Sequence, residues 1–204
     1  MKDDFIQTVL PYTMVGPVRL FSLCELSQRI EYDQVPGDVI ECGVCNGGSA
    51  AILAHYATKS SLDRKVWLLD SFQGLPNTTV EVDGKDAPLH QGSYVGQIEV
   101  VREVLQLVEA TMDKVYILEG WFKDTLPLVS AQQIALLNLD CDWYESVKQC
   151  LETLYDRVVP GGFISFDDYN FWPGCKRAVD EFFKSRNLTY VLNQVECACW
   201  FRKN

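Results

Sequence analysis

The sequence predicts an α/β domain built on a doubly wound, mostly parallel sheet with a closing antiparallel hairpin. From Asp38 onward, short apolar runs alternate with longer stretches in which apolar residues recur at helical spacing. The short runs are apolar nearly throughout, which is typical of parallel strands covered by helices on both faces. Because 204 residues, 48% of them hydrophobic, suffice for one core, we expect a single domain over residues 1–204.

A helical cover is predicted ahead of the sheet, at residues 1–37. Four apolar residues share one face of a helix in this segment: Leu20, Leu23, Leu26 and Ile30. Pro36-Gly37 then interrupts the pattern, as such pairs do at turns. The α/β core is therefore expected to occupy residues 38–204, with the cover over the sheet edge or the site.

The core elements follow in order along the chain. Strands are predicted at residues 38–44, 65–72, 114–118, 134–140 and 162–166, where β-branched or apolar residues dominate. Helical periodicity predicts helices at residues 49–57, 96–109, 146–158 and 175–186. Residues 188–195 and 198–202 complete the sheet as a hairpin. Residues 76–95 are polar, lack periodicity and contain Gly and Pro, so we expect a lid, a binding loop or a disordered segment there.

Charge and leader patterns exclude several classes of partner. With 18 Lys and Arg against 28 Asp and Glu, the net charge of −10 opposes nucleic acid and anionic membranes. The N-terminus shows no signal-peptide pattern, and no apolar run approaches the roughly 20 residues that cross a bilayer. We therefore expect a cytoplasmic protein with a small-molecule partner, whose eight Cys stay reduced. A homo-oligomer remains an open alternative.

Carboxylates stand at the carboxyl end of all five predicted parallel strands. They are Glu41, Asp70, Glu119, Asp140 with Asp142, and Asp167 with Asp168. Doubly wound sheets bind ligands at this edge, where the strand order reverses. A single carboxylate there usually caps the next helix. Five strand ends with acids exceed what capping needs, so the pattern predicts a functional edge.

Two neighbouring strand ends supply the acids for a predicted metal site. Asp140 and Asp142 lie two residues apart, so their side chains can share a face, and Asp167 and Asp168 end the next strand. Neighbouring strands are only about 4.8 Å apart, which brings Asp140, Asp167 and Asp168 within reach of one ion. Oxygen-only ligands favour Mg²⁺ over zinc. The alternative is helix capping by Asp167 or Asp168 with a solvated Asp142.

The turn after the first strand, ECGVCNGGS at residues 41–49, is rich in glycine. It lacks the G-x-G-x-x-G that a dinucleotide fold uses for its pyrophosphate, because Cys45 stands at the second glycine. The turn instead suits S-adenosylmethionine, with Asp70 accepting from the ribose hydroxyls. A glycine turn needed only for tight packing is the alternative.

The cysteines and histidines carry weaker signals. Cys42 and Cys45 form a C-x-x-C that allows a redox pair, or a zinc site with Cys197 and Cys199. Neither fits the usual context of such sites, so we expect thiols without a joint role. His55, on a helix, reads as a half-buried structural residue, whereas His90, in the polar loop, could touch substrate.

Nine short motifs, in order over about residues 11–185, resemble the macrocin O-methyltransferase (TylF-type) family. They are PYTMV at 11–15, RL at 19–20, PGD at 36–38, ECGV at 41–44, GGS at 47–49, DSFxGLP at 70–76, EGWFxDTLP at 119–127, LDxDxYES at 139–146 and DDY at 167–169. One such motif would carry little weight, but nine in the same order are specific.

The resemblance implies a class I methyltransferase that uses S-adenosylmethionine and Mg²⁺ to methylate hydroxyls of sugars or phenols, typically in secondary metabolism. It assigns the metal to Asp140, Asp167 and Asp168 and makes Asp142 the catalytic base. It places ten residues at the cofactor: Thr13, Met14, Glu41, Gly43, Gly47, Ser49, Asp70, Ser71, Gly120 and Trp121. Among them, Thr13 and Met14 would fold over the cofactor and Gly120-Trp121 would lie near the adenine.

The predicted chemistry is consistent with these residue types. A free Asp, with a pKa near 3.9, is a weak base toward an alcohol, so a bound metal has to supply most of the activation of the acceptor. A metal held by two strands favours vicinal oxygens, as in a diol or a catechol. Two other hypotheses stay open: a metal-dependent hydrolase or phosphotransferase using the same aspartates, and a non-catalytic methyltransferase-like binding domain.

Overall fold

The computed structural model describes residues 2–204 and confirms the predicted fold class. Its seven-stranded sheet has the order β3-β2-β1-β4-β5-β7-β6. The strands are β1 (Asp38–Cys42), β2 (Val66–Asp70), β3 (Val115–Glu119), β4 (Ile134–Leu139), β5 (Val158–Phe166), β6 (Asn193–Val195) and β7 (Ala198–Arg202). The first five pair in parallel, and β7 pairs antiparallel with both β5 and β6.

Eight α-helices accompany the sheet within these residues. They are α1 (Lys2–Val9), α2 (Pro17–Tyr32), α3 (Gly48–Ala57), α4 (Val80–Asp83), α5 (Ile98–Leu107), α6 (Phe122–Thr125), α7 (Tyr144–Leu154) and α8 (Pro173–Ser185). Buried side chains form one hydrophobic cluster on each face of the sheet, as a parallel sheet requires. None of the helices in residues 2–204 combines the length and the apolar composition needed to cross a bilayer.

The N-terminal segment packs onto the helical layer beside β1. The apolar face of α2 is buried through Leu20, Leu23, Leu26 and Ile30, and the helix contacts α3, β4 and β5. Pro17 opens α2 at a position where its missing N–H costs no hydrogen bond. This packing carries residues 13–19 to the carboxyl edge of the sheet.

Three boundaries differ from the sequence prediction by more than two residues. The helix expected to reach Val158 ends at Leu154, and Val158 instead begins β5 opposite Ile134. The pairing of β4 and β5 shifts register across the Pro160-Gly161-Gly162 run. Because Pro and Gly are atypical inside a strand, the sequence predicted the start of β5 only after this run. In the predicted strand 188–195 only Asn193–Val195 pairs, because Leu188, Tyr190 and Leu192 pack against the core.

Residues 76–95 hold more structure than their composition indicated. They contain α4 and a 3-10 turn at Ala87–His90. The buried Asp83 ties the segment to the core, because its Oδ1 accepts the Tyr144 backbone N–H at 2.7 Å and its Oδ2 accepts from Thr78. The segment is therefore anchored over α7.

Candidate active site

A cavity of about 310 Å³ opens at the carboxyl ends of β1, β2, β4 and β5. The strand order reverses between β1 and β4, so the cavity lies at the position where doubly wound sheets bind ligands. Twelve of the fourteen predicted site residues line it: Thr13, Met14, Gly43, Ser49, Asp70, Ser71, Gly120, Trp121, Asp140, Asp142, Asp167 and Asp168. Glu41 and Gly47 do not line the cavity.

Three aspartates converge at one end of the cavity. Asp140, Asp167 and Asp168 each offer a carboxylate oxygen, and these oxygens all lie within 4.8 Å of one another. Asp168 Oδ2 is buried without a hydrogen-bond partner among the described residues. Burial and mutual repulsion raise the pKa of Asp140 and Asp168 well above the ordinary value. Clustered carboxylates with an unpartnered oxygen are the donor set that a hard divalent cation would satisfy.

The alternative role of these acids, helix capping, finds no support. Neither α7 nor α8 has a side-chain hydrogen bond from its N-cap residue. The first N–H of α7 is bonded by Asp83, which comes from the segment over the cavity. Asp142, Asp167 and Asp168 are thus not occupied as N-caps of these two helices.

Arg19 partly neutralises the cluster. Its Nη1 pairs with Asp167 Oδ2, and its Nε lies 3.6 Å from Glu196 Oε2. Burial raises the pKa of Asp167 to about 6, and the guanidinium opposes that rise. Arg19 is the sole basic residue lining the cavity in the described chain, against five aspartates. The site is strongly negative.

Asp142 stands beside the cluster on a tight turn. Its backbone φ is +55°, and the Trp143 N–H bonds to Cys141 O at 2.6 Å. Trp172 Nε1 donates to Asp142 Oδ1 at 2.8 Å. Burial raises the pKa of Asp142 to about 7; the Trp172 hydrogen bond opposes the rise, and the carboxylates of Asp167 and Asp70 add to it.

On the β1–β2 side, Asp70 organises the glycine-rich turn. Its Oδ2 accepts the backbone N–H groups of Val44 and Cys45 at 2.7 and 2.8 Å, and its Oδ1 accepts that of Phe72 at 2.8 Å. A carboxylate offers about four acceptor sites, so capacity remains toward the cavity. Asp70 therefore fixes the turn and also lines the cavity.

Glycine is required in this turn for close packing. Gly43 has a φ of +89°, and a Cβ there would lie 1.7 Å from Asp140 O. A Cβ on Gly48 would lie 2.6 Å from the Thr13 Cβ. Close packing therefore requires glycine at positions 43 and 48, where the turn approaches β4 and Thr13.

Glu41 lies below the cavity instead of in its wall. It is fully buried and accepts from Asn138 Nδ2 at 2.9 Å. Burial raises the pKa of Glu41 to about 8. Glu41 does not line the cavity, and its contact with the cofactor stays a prediction. Glu119, at the end of β3, is exposed and also lies outside the cavity wall.

The cysteines and histidines form no second metal site among residues 2–204, although Cys45 and Cys197 line the cavity. All eight Cys are free thiols, and the aspartate trio is the one group among residues 2–204 with the spacing to hold a metal, so no zinc site joins Cys42, Cys45, Cys197 and Cys199. His55 Nδ1 lies 2.9 Å from Val108 O in the helical layer. His90 does not line the cavity, but its neighbour Tyr94 does, with Tyr94 Oη 3.1 Å from His90 Nδ1.

Sequence reasoning gave no role to two residues in the site. Arg19 was visible only as part of a short motif, because a lone Arg on a helix carries no pattern of its own. Trp172 falls between the predicted strand 162–166 and the predicted helix 175–186, and only the folded loop after β5 shows that its indole reaches Asp142.

Comparisons with known proteins agree with this geometry. The family model for macrocin O-methyltransferase (TylF) matches residues 4–203. The chain is 37% identical over 178 residues to a demethyldecarbamoylnovobiocin O-methyltransferase of Streptomyces niveus, covering 84% of this chain and 67% of that protein. It is also 37% identical over 190 residues to 8-demethyl-8-(2,3-dimethoxy-alpha-L-rhamnosyl)-tetracenomycin-C 4'-O-methyltransferase of Streptomyces olivaceus, covering 91% and 72%.

Solved structures show the same fold. The O-methyltransferase NovP superposes with a TM-score of 0.83 at 32% identity, covering 95% of this chain and 82% of that one. The calicheamicin methyltransferase CalS11 gives a TM-score of 0.75 at 24% identity, covering 90% and 78%. The chain belongs to the macrocin O-methyltransferase (TylF) family of S-adenosylmethionine-dependent O-methyltransferases.

Proposed function

We propose that the chain is a Mg²⁺-dependent O-methyltransferase that methylates a hydroxyl of a sugar or a phenolic small molecule. The observation that carries this proposal is the convergence of Asp140, Asp167 and Asp168 beside Asp142, in the same cavity as the glycine-rich turn. The family supplies the methyl donor and the reaction, and these acids supply the metal requirement and the base.

The cofactor would occupy the β1–β2 side of the cavity. Asp70 accepts from the ribose hydroxyls, Thr13 and Met14 approach from the N-terminal segment, and Gly120-Trp121 flank the adenine. All five line the cavity. The carboxylates on the β4–β5 side also attract the sulfonium and ammonium charges of the cofactor.

The acceptor would occupy the β4–β5 side. Asp140, Asp167 and Asp168 would hold a divalent ion, which when bound would supply Lewis-acid chemistry that lowers the pKa of the acceptor hydroxyl. Asp142 receives the hydroxyl proton as the acceptor oxygen bonds to the methyl carbon. The carbon–sulfur bond breaks with its electron pair going to sulfur, so the sulfonium becomes a neutral thioether. The residues mainly align donor and acceptor, as an in-line displacement requires.

The acceptor class follows from charge and from the relatives. The cavity wall carries five aspartates and one Arg, so a neutral or cationic acceptor suits it better than an anionic one. One relative is named for methylation of a rhamnosyl-tetracenomycin, which supports a sugar hydroxyl. A vicinal diol would place two oxygens at the ion.

Titration calorimetry and product analysis test the proposal. S-adenosylmethionine should bind with or without Mg²⁺, whereas turnover should require the ion and stop with EDTA. Mass spectrometry against a panel of neutral sugars and phenols, including methyl α-L-rhamnoside and catechol, should detect a mass gain of one methylene. Metal binding without cofactor binding would instead indicate a hydrolase, and full turnover in chelated buffer would contradict the metal requirement.

Asp142→Asn tests the base separately from the ligands. The amide keeps the size of the side chain and removes its basicity, so kcat should fall by about 10²–10⁴ while Mg²⁺ and cofactor still bind. The loss should appear in kcat, because the proton moves in the transition state. Acidic phenols should lose less than sugars. Parent-like turnover of a sugar, or loss of Mg²⁺ binding, would contradict the role of Asp142.

A further inference from the structure

The loop after β5 joins Asp168 to the indole-bearing Trp172 through backbone hydrogen bonds. Asp168 O accepts the backbone N–H groups of Phe171 and Trp172, both at 3.0 Å. Trp172 then becomes the N-cap residue of α8, followed by Pro173. The backbone that presents a candidate metal ligand therefore also fixes where the Trp172 side chain begins.

The Trp172 indole is held on several sides. It is 7% exposed and meets Trp143 edge to face, with ring centroids 4.9 Å apart. Phe171 and His90 make further edge contacts at 4.9 and 5.4 Å. A ring packed in this way has one accessible rotamer, so its N–H points in a fixed direction.

That N–H points at Asp142. Trp172 Nε1 lies 2.8 Å from Asp142 Oδ1, and within residues 2–204 this is the one hydrogen bond from a side chain to that carboxylate. Asp142 sits on a turn with a left-handed φ of +55°, so its neighbours in sequence do not enclose its side chain as a strand would. Without the indole, no side-chain hydrogen bond within residues 2–204 would fix the orientation of this carboxylate.

We propose that Trp172 is a positioning residue for Asp142: it binds Oδ1 and so keeps Oδ2 available to the acceptor hydroxyl. The inference rests on the proposed function, in which Asp142 is the base. A general base works only within hydrogen-bond reach of the proton it takes, so a carboxylate pinned at one oxygen spends more time in a productive orientation. The indole N–H is a donor only and cannot itself take the proton.

Trp172→Phe removes the N–H and keeps an aromatic ring in the packed position. We expect kcat for methyl α-L-rhamnoside to fall by about 10-fold to 100-fold, as when the partner that orients a functional group is lost. The KM for the sugar and the Kd for S-adenosylmethionine should change by less than about twofold, because the hydrogen bond is made to neither.

Trp67→Phe is the matched control. Trp67 Nε1 also donates to an aspartate, Asp38 Oδ2, at 2.9 Å, but at the opposite edge of the sheet. Both rings are mostly buried, so both variants should lose stability to a similar degree. Only Trp172→Phe should slow turnover. An equal loss of kcat in both variants would mean a general structural effect and would overturn the positioning role.

A double-mutant cycle separates this inference from the function on which it rests. If Trp172 acts through Asp142, then Trp172→Phe in the Asp142→Asn background should change kcat by less than about twofold. Additive losses would overturn the coupling. A slow Asp142→Asn with a parent-like Trp172→Phe would overturn the positioning role alone, whereas a parent-like Asp142→Asn would overturn the base and the positioning role together.

Trp172→His covers the case in which the Phe variant folds poorly. A His ring retains an N–H donor on a smaller ring, so it should recover part of the kcat that Trp172→Phe loses. Circular dichroism and the cofactor Kd report whether each variant is folded. A folded His variant that is no faster than a folded Phe variant, or a Phe variant that matches the parent, counts against a role for the N–H.

Discussion

The two sides of the sheet's carboxyl edge satisfy their acids in opposite ways. On the β1–β2 side, Asp70 accepts three backbone N–H groups and Glu41 is buried against Asn138. On the β4–β5 side, three aspartates converge within 4.8 Å, and Asp168 Oδ2 has no partner among the described residues. Backbone donors compensate Asp70, whereas Glu41 Oε2 is buried without a hydrogen-bond partner among the described residues. The acids on the β4–β5 side have Arg19 as their contacting cation.

Compensation determines what a buried acid can do. An anion removed from water costs free energy unless donors or cations replace the lost hydration. Asp70 meets this requirement internally, so it stabilises a turn in the absence of any ligand. The β4–β5 acids do not, so binding a divalent cation would relieve their repulsion. The same residue type at one sheet edge thus builds a loop on one side and a ligand site on the other.

The largest expected effect comes from the uncompensated side. Asp167→Asn or Asp168→Asn removes a charged ligand with almost no change in volume, so Mg²⁺ binding should be lost. Loss of several kcal/mol of transition-state stabilisation corresponds to about 10³-fold or more in kcat. The cofactor Kd should stay near that of the parent, since the β1–β2 side is untouched. Calorimetry with Mg²⁺ and with S-adenosylmethionine measures the two separately.

Asp124→Asn is a suitable control for these variants. Asp124 lies on α6, is exposed and stands outside the cavity wall. Its loss changes the net charge by the same amount, so it should leave Mg²⁺ binding and turnover unchanged. Equal losses in all three variants would point to overall charge as the cause and would contradict a specific ion site.

A smaller effect is expected on the compensated side, and on cofactor affinity instead of metal binding. Asp70→Ala removes the acceptor for the ribose and for three backbone N–H groups. At about 1.5–3 kcal/mol for each charge-assisted bond, with partial compensation by water, S-adenosylmethionine should bind about 30-fold to 1,000-fold more weakly. Thermal stability should also fall, while Mg²⁺ binding should persist.

Glu119→Ala provides the comparison for Asp70→Ala. Glu119 is paired with Asp70 across β2 and β3 but is exposed and outside the cavity wall. Its replacement should leave the cofactor Kd at the parent value. If a folded Asp70→Ala also keeps that Kd, the ribose contact is wrong and Asp70 serves the turn alone.

These contrasts mark what the sequence could predict. Strand and helix order, the convergence of Asp140, Asp167 and Asp168, and the position of Asp70 follow from periodicity and from the rule that parallel strands end at one edge. The backbone donors around Asp70 did not follow, because a turn conformation is not encoded in a pattern of residue types. Glu41 was placed at the cofactor; in the fold it is fully buried, lies outside the cavity wall and accepts a hydrogen bond from Asn138 on the neighbouring strand. Arg19 and Trp172 reach the site through tertiary packing that no local pattern predicts.

Glu41, on β1, allows a test of how burial changes the pH dependence of stability. Burial raises the pKa of Glu41 to about 8 from an ordinary 4.5. The unfolded chain releases this proton at lower pH than the folded protein, so the stabilisation is complete below about pH 4.5 and is lost as the pH rises through about 8. As the pH rises from about 6 to about 8, the free energy of unfolding should fall in both proteins. The fall should be about 2 kcal/mol smaller for Glu41→Gln than for the parent.

Urea unfolding at the two pH values measures this difference. Glu25→Gln, at an exposed position on α2, should retain the pH dependence of the parent. Parallel pH profiles for the parent and Glu41→Gln would mean that Glu41 is ionised in the folded protein at pH 6.

The smallest expected effect concerns Arg19 on the uncompensated side. Its guanidinium pairs with Asp167 Oδ2, and both side chains are largely buried, at 16% and 10% exposed. A divalent ion at the trio would meet a positive charge already in contact with one of its ligands, and two cations at close range repel each other. Arg19→Gln removes that charge while keeping a polar side chain of similar reach. Mg²⁺ should therefore bind more tightly, by about 1 kcal/mol or roughly fivefold in Kd.

Without the ion, the Arg19→Gln variant should melt at a lower temperature, because the acids lose their contacting cation. Arg29→Gln, at a 63% exposed position on the same helix, should change neither quantity. Weaker Mg²⁺ binding by Arg19→Gln would show instead that the guanidinium holds Asp167 in place for the ion, so the sign of the change in Kd decides between a competing cation and a supporting one.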